Sequence, residues 1–456
     1  MTSPAALAHP RFSLTEPLPV PAPGAGPAQL PRLLPRHGAV PVRLTDHLRA
    51  YGPVPYRGRS GHLIREAAAA GLTGRGGAAF PVHRKLAAVA GAPEPVVIGN
   101  GAEGEPASNK DKSLLWISPH LVLDGLQLAA EAVGSLTIGL YVHRNPRLLR
   151  HLQVALAERV DARADRAPVE LIEAPSRFLA GEASSLASVV TGGAALPRLK
   201  DPRLSERGVA GRPTLVQNVE TLAHLALIAR YGAGWFRAVG TSAEPGSMLT
   251  TLYQASGRAD VTEAALGTPL ADLLSLAGAG AVLVGGYHGA WLATPEAAGL
   301  RLSNATLRPA GAFVGAGVLA ALPAGRCGLA ETARVVRYLA LESAGQCGPC
   351  FNGLPRMAAA LSVLALPEGP RAARRGMGGR WPDRAAARAD LERWTGLVEG
   401  RGACHHPDGT ARLVRSALRV FAAEAGLHCR GQCTGTEARP FLPLPPEPAI
   451  DAADWS

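Results

Sequence analysis

Lysine is nearly absent from this 456-residue chain: of 47 basic residues only four are lysines, Lys85, Lys110, Lys112 and Lys200. All four lie in or beside the motifs described below, which makes each surviving ammonium worth a functional question. Cysteine is scarce as well, and six in a chain this long do not make a disulfide framework. No run approaches the roughly 18 uninterrupted apolar residues of a membrane span. The N-terminus lacks the charged and continuously apolar regions of a secretory signal, so the expected location is cytoplasmic. Basic runs with interleaved aromatics are missing too, and despite a net charge of +11 nucleic acid is not the expected partner. That charge fits an acidic protein partner, or simply an arginine-rich solvated surface.

Apolar residues make up 47% of the chain, ample for burial, and the length implies two to four domains. Residues 1–38 are rich in proline and alanine and read as a disordered leader. From Leu44 onward strands and helices alternate. Helices are expected over 62–70, 81–90, 112–133 and 146–164, with strands over 95–99, 135–142 and 169–173. This alternation predicts an α/β domain over 39–240 with a mostly parallel sheet covered on both faces. Its last element is expected to be a long amphipathic helix over 213–236. Short strand-like runs around one helix (269–277) fill 241–326, and a helical bundle with an expected continuous helix over 409–425 fills 327–428, leaving 429–456 as a tail.

Three segments carry chemistry. Gly71 to Pro81 reads Gly-Leu-Thr-Gly-Arg-Gly-Gly-Ala-Ala-Phe-Pro. Gly74, Gly76 and Gly77 let the backbone approach a flat ring or a phosphate, and Arg75 adds a charged donor. Asn100 to Pro106, Asn-Gly-Ala-Glu-Gly-Glu-Pro, follows an apolar strand, where parallel sheets bind ligands. The Asn100 amide offers both a donor and an acceptor, while Glu103 and Glu105 stand two apart in a ligand loop or an acidic exposed one. Ser343 to Cys350, Ser-Ala-Gly-Gln-Cys-Gly-Pro-Cys, supplies the thiols Cys347 and Cys350.

From Ala39 to about Ala423 the order of these segments resembles the NADH-oxidising flavoprotein subunit of respiratory complex I and its relatives in NAD-linked hydrogenases and formate dehydrogenases. The resemblance implies a Rossmann-like FMN-binding domain, a small β-grasp module and a C-terminal helical bundle carrying an iron-sulfur site. It implies hydride transfer from NAD(P)H to FMN, then single electrons passing to a 4Fe-4S cluster and on to a separate carrier, such as an acidic ferredoxin, possibly within a larger redox complex. By the same resemblance Gly74, Arg75, Gly76, Gly77, Asn100 and Asn218 hold the flavin, Glu103 meets ribityl hydroxyls or the nicotinamide nucleotide, and Gly181, Glu182 and Gln217 complete the cofactor-binding set. Phe80, Lys85, Glu105 and Lys200 orient the nucleotide, and Cys347, Cys350 and Cys404 ligate the cluster. No side chain is needed as acid or base, because the flavin carries the chemistry.

The chain departs from the family's pattern at informative places. Ala102 and Ala183 replace acidic residues, and Ala88 and Arg203 stand where two aromatic rings would stack on the nucleotide. Losing two stacks and a carboxylate weakens NADH by a few kcal/mol, about two orders of magnitude. Arg203 is either an anion contact or an ordinary surface arginine. These changes leave an alternative open, a flavin and iron-sulfur electron carrier that does not bind NADH. Ala344 replaces the first cluster cysteine, leaving the fourth position to His405, His406, solvent or no protein ligand; zinc or core roles for the cysteines are the rival reading. Cys429 and Cys433 are expected to lie too far along the C-terminal helix to reach Cys404 unless the tail reverses.

Overall fold

The computed structural model describes residues 29–34, 40–59, 61–198, 202–365, 383–437 and 439–445. Its first part contains α1 (Leu44–Tyr51), α2 (His62–Ala70), α3 (Val82–Ala87), β1 (Val96–Asn100), α4 (Lys110–Ile117), α5 (Pro119–Val133), β2 (Thr137–His143), α6 (Pro146–Asp161), β3 (Val169–Ala174), α7 (Ala183–Val190), β4 (Thr214–Asn218) and α8 (Val219–Arg237). The four strands form one parallel sheet in the order β3-β2-β1-β4. The chain therefore runs outward from β1 through β2 to β3 and then crosses to the other side of β1. That reversal opens a crevice at the carboxyl ends of β1 and β4, where Asn100 and Asn218 are register partners.

Two expected helices are differently built. The stretch predicted as one helix over 213–236 begins as β4, because Thr-Leu-Val-Gln-Asn pairs along its whole length with β1 and its first four residues are buried, and only at Val219 does the helix start. The helix predicted over 112–133 breaks at Ser118, where Pro119 starts α5 without a backbone donor. Helix α5 is buried along nearly its whole length against α8, and a Cβ at Gly125 would lie 1.9 Å from the Leu222 carbonyl oxygen. Only glycine permits that approach.

The second part comprises β5 (Ser247–Tyr253), β6 (Ala259–Ala265), α9 (Leu270–Leu273), β7 (Ala279–Val284), β8 (Ala290–Ala293), α10 (Thr294–Ala298), α11 (Asn304–Leu307) and β9 (Val318–Pro323). Its sheet order is β6-β5-β9-β7-β8, with β5 and β9 parallel and the other pairs antiparallel, the arrangement of a β-grasp. Then follow α12 (Gly328–Leu341), a π-helical turn at Pro349–Gly353, α13 (Leu354–Leu364), α14 (Arg384–Val398), α15 (His406–Val420) and α16 (Ala422–Cys429), packed as a bundle. The single helix expected over 409–425 is thus two, turning at Phe421.

Part of the proline-rich leader is docked, whereas residues 1–28 and 35–38 lie outside the described ones. Leu33 is 1% exposed, and the backbone N–H groups of Arg32 and Leu33 donate to the Glu263 carboxylate at 2.5 and 2.8 Å. The Arg32 guanidinium lies over the Trp235 ring at 3.9 Å and donates to the carbonyls of Trp235 and Phe236.

Candidate flavin and iron-sulfur site

The Gly-rich loop leaves α2 through Gly71, whose φ of +68° ends that helix, and closes on itself where Gly74 N–H donates to the Phe80 carbonyl at 2.9 Å. A Cβ at Gly76 would meet the Asn218 Cβ at 3.4 Å, so the loop lies directly over the end of β4. Gly77, at φ +102°, faces Gly315 of the second part. Arg75 turns inward: its guanidinium donates to the carbonyls of Ser247 and Thr73 at 3.0 Å, and Nη2 is buried with no partner among the described residues. Thr73, Gly74, Arg75 and Gly77 also wall a cavity of about 370 Å³ against Glu244, Asn304 and Arg308. Asn100, Lys85 and Asn218 do not line that cavity. They belong to the strand-end crevice, which matches their chemistry.

Around the crevice the polar side chains are fixed by the fold. Asn218 caps α8, its Oδ1 accepting Glu220 N–H at 3.0 Å, and its Nδ2 donates to Asp111 at 2.7 Å. Asn100 donates to the Gly181 carbonyl at 2.9 Å and accepts Ala102 N–H at 3.1 Å, tying the β1 loop to the segment before α7. A Cβ at Gly181 would lie 2.4 Å from the Ala102 carbonyl, so glycine is required at that junction. Gln217 is buried, and its Nε2 has no partner among the described residues. Lys85 is half-buried and donates only to the Val216 carbonyl, at 3.3 Å; among the described residues it has no carboxylate partner, and burial lowers its pKa. Phe80 is 45% exposed beside the loop.

The glutamates serve the backbone. Glu103 accepts from Ser108 and from the N–H groups of Asp111 and Lys112 at the start of α4. Glu105 accepts Tyr287 N–H at 2.7 Å and Ala107 N–H at 3.2 Å, with its pKa pushed up to about 7 by burial. Glu182 caps α7 through the N–H groups of Ser184 and Ser185. Arg203 is exposed, and Lys200 lies outside the described residues.

Beneath Asn218 lies a group that sequence reasoning passed over. Lys110 Nζ, fully buried, bridges Asp111 at 2.7 Å and Glu220 at 2.8 Å. Burial opposes charge on all three groups. For Glu220 it is outweighed by Lys110, His224 and Arg75, which hold the pKa at about 2, while the Lys110 pKa rises under its two carboxylates. Of the two carboxylates Asp111 is the one whose pKa is raised, by burial and by the charges of Glu103 and Glu220. Glu220 also accepts Leu249 N–H at 2.8 Å, linking the crevice to β5. The only signals for this group were its rare lysine and the place of Glu220 two residues after Asn218.

In the helical part the Cys347 and Cys350 sulfurs lie 3.6 Å apart, and Cys404 at the entry to α15 is close enough for both to raise its pKa after burial does so first, to about 11. Ala344 contributes no donor atom. His405 is 78% exposed and faces Asp408. His406 is enclosed: its Nε2–H donates to the Leu339 carbonyl at 2.7 Å, which leaves Nδ1 to accept from His288 Nε2 at 3.0 Å. Both ring nitrogens are engaged, so His406 does not offer the missing ligand. The rings of His288 and His406 pack on Phe178, whose N–H donates to Glu342, joining this region to the Gly181 segment.

Two family models match the chain: the Nuo51 FMN-binding domain over residues 67–227 and the NADH-ubiquinone oxidoreductase-F iron-sulfur binding region over 330–428. An NADH-quinone oxidoreductase subunit of Rhizobium meliloti is 27% identical over 390 residues, covering 80% of this chain and 87% of that protein. The corresponding NADH-quinone oxidoreductase subunit of Streptomyces coelicolor is 27% identical over 397 residues, covering 81% and 83%. Among solved structures, the NAD+-reducing NiFe-hydrogenase in its H2-reduced state superposes with a TM-score of 0.70 at 27% identity, over 82% of this chain. This chain spans 63% of that hydrogenase chain's length. With one family model on the parallel-sheet part and the other on the helical bundle, the chain belongs, as a divergent member, to the family of NADH-oxidising flavoprotein subunits of respiratory complex I and its relatives.

Proposed function

We propose that this chain oxidises a nicotinamide dinucleotide through FMN and passes the electrons to a 4Fe-4S cluster and then to a separate protein carrier. The carrying observation is the donor set at the crevice. Among the described residues Gln217 Nε2 is a buried donor without an acceptor and Lys85 a cation without a counter-charge, close to the ends of the paired strands at Asn100 and Asn218. A flavin ring edge and a phosphate satisfy such donors, so the residues fit the group.

FMN, when bound, supplies two-electron acceptance and one-electron release. The chain's own residues bind and orient. Gly74, Gly76 and Gly77 give the backbone approach and Asn100, Gln217 and Asn218 the polar edge, and Lys85, which the family resemblance gives to the nucleotide, is assigned here to the flavin as its positive charge. Phe80 offers an exposed ring for the nicotinamide, and Glu105 and Lys200 are the remaining nucleotide positions by family correspondence. Glu103, Glu182 and Arg75 act as positioning residues through the backbone groups they hold. Cys347, Cys350 and Cys404 would hold three irons, leaving one corner without a cysteine at Ala344.

The relatives are subunits of larger redox complexes, which supports a partner chain here as well. The net charge of +11 favours an acidic carrier of the ferredoxin kind, and a cytoplasmic setting accords with finding no described helix long and apolar enough to cross a membrane. Steady-state NADH oxidation with ferricyanide as artificial acceptor tests this reading. Turnover after FMN reconstitution, with a high KM for NADH, is expected; a flavin-loaded protein that gives none is instead a protein-fed electron carrier.

A further inference from the structure

The end of the bundle away from the Cys347 motif carries a second set of metal-ligating side chains. Cys327 caps the start of α12, Glu424 and His428 lie one turn apart on α16, and Cys433 comes from the tail that follows. One ligand atom from each lies within 4.8 Å of every other. The 14 residues of α12 separate Cys327 from the Cys347 motif by about 21 Å of helix, so this set and the cluster thiols are distinct sites.

The tail does reverse, which sequence reasoning treated as the exception. Thr436 and Glu437 N–H groups donate to the Gly325 carbonyl at 2.9 and 3.1 Å, and Glu437 pairs with Arg326 at 2.8 Å. Gly435 makes the return possible, since a Cβ there would stand 3.0 Å from the Cys327 Cβ. The reversal brings Cys433 to Cys327, 106 positions upstream, rather than to Cys404.

The hydrogen bonds around the set are those of an ion site. His428 Nδ1 faces the Leu364 carbonyl at 3.0 Å, an oxygen that can only accept, so Nδ1 carries a proton and Nε2 is the nitrogen left to ligate. Nε2 then presents a lone pair to Glu424 Oε1 at 3.0 Å and to the Cys327 sulfur at 3.5 Å. Two acceptors facing each other at that distance require a proton or a metal cation between them. Backbone N–H groups point at both sulfurs, Ala330 to Cys327 at 3.4 Å and Gly435 to Cys433 at 3.3 Å, and Thr434 holds the Glu424 carboxylate through its N–H at 2.9 Å and its hydroxyl at 2.5 Å.

We propose that Cys327, Glu424, His428 and Cys433 bind one divalent transition-metal ion, zinc by preference, which fastens the tail to the bundle. Ligands at about 2.0–2.3 Å from a tetrahedral zinc stand roughly 3.3–3.8 Å from one another, close to the His428 contacts already present, and two thiolates, one imidazole and one carboxylate form a closed structural set. On binding, the two thiols release their protons to solvent and the imidazole stays neutral. Cys429 is exposed, lies outside the set and serves as the control.

Zinc and iron are to be measured by mass spectrometry on the full-length wild-type protein, Cys433→Ser and Cys429→Ser after zinc supplementation and gel filtration. The expected result is about one zinc per chain in wild type and Cys429→Ser. Cys433→Ser is expected to retain its iron and flavin while its zinc falls at least about tenfold. Cys433 is exposed, so its loss leaves the core intact. Cobalt substitution gives a second readout, a thiolate-to-cobalt absorption band present in wild type and lost in Cys433→Ser. Equal zinc in all three proteins, no uptake of zinc or cobalt by any, or a Cys327–Cys433 disulfide in peptide mapping of the metal-free protein would each overturn the proposal.

Discussion

Asn218 donates to the Asp111 carboxylate at 2.7 Å while its own carbonyl oxygen caps α8 at Glu220 N–H. One amide hydrogen and one lone pair are thereby fixed, and the other hydrogen and lone pair are held ready for a ligand. Asn218→Ala removes both roles. It is expected to weaken FMN by about 1–3 kcal/mol, roughly tenfold to a hundredfold in Kd, and to lower stability by about 1 kcal/mol through the lost cap. Quenching of FMN fluorescence gives the first number and urea unfolding the second.

Lys85 and Phe80 separate flavin binding from nucleotide binding. Lys85→Met removes a cation that lacks a carboxylate partner among the described residues, and a charge-assisted bond of about 1.5–3 kcal/mol is lost from bound FMN. Phe80→Ala, on a ring already 45% exposed, is expected to leave FMN affinity unchanged. The KM for NADH should rise about threefold to tenfold, as one stack of about 0.5–1.5 kcal/mol disappears. A Phe80→Ala protein that releases its flavin would contradict this division.

Ala344 is the place to restore the cluster pattern. With three cysteines the fourth iron has no thiolate, and mild oxidation should yield the paramagnetic 3Fe-4S signal. Ala344→Cys is expected to suppress that signal and retain the full cluster under the same treatment. Electron paramagnetic resonance of the two proteins, oxidised in parallel, decides it.

Asp124 supplies a pH dependence of known sign. Its carboxylate is 1% exposed and meets His47 at 2.8 Å, Arg159 at 2.8 Å and Arg230 at 2.5 Å. Burial opposes its charge, but these three partners outweigh it and hold the pKa well below the ordinary aspartate value. A depressed folded-state pKa means the stabilisation is present above about pH 4 and is lost as the pH falls from there toward the folded value. Asp124→Asn should flatten that acid limb and cost about 3–5 kcal/mol at pH 7, since it leaves buried cations unpaired. Urea unfolding from pH 2.5 to 7 measures both.

The regular elements flanking the crevice were legible because β1 and β2 are largely apolar runs bounded by turns, β3 sets Val169, Leu171 and Ile172 among exposed glutamates, and α6 announces itself with the Asn145 cap and Pro146 at its first position. Strand β4 was not, because a strand buried in a parallel sheet lacks alternation and this one runs into α8 without a turn. The docked leader depends on Glu263 and Trp235, more than 200 residues away, which no local pattern carries. At the site, the glycines and strand-end amides could be read from motif order. The inward turn of Arg75, the Lys110 triad and the meeting of Cys327 with Cys433 are products of packing. The helix-length estimate that set Cys429 and Cys433 apart from Cys404 assumed one continuous helix, where the chain has two, and it says nothing of a chain that turns back toward Cys327.

The central claim, that NADH delivers electrons to a flavin in this chain, is tested most directly by the anaerobic absorbance spectrum of the cluster-reconstituted protein before and after one equivalent of NADH. Bleaching of the flavin bands together with a fall in the broad cluster absorbance is the predicted result. Flavin and cluster bands that persist unchanged after NADH would contradict it.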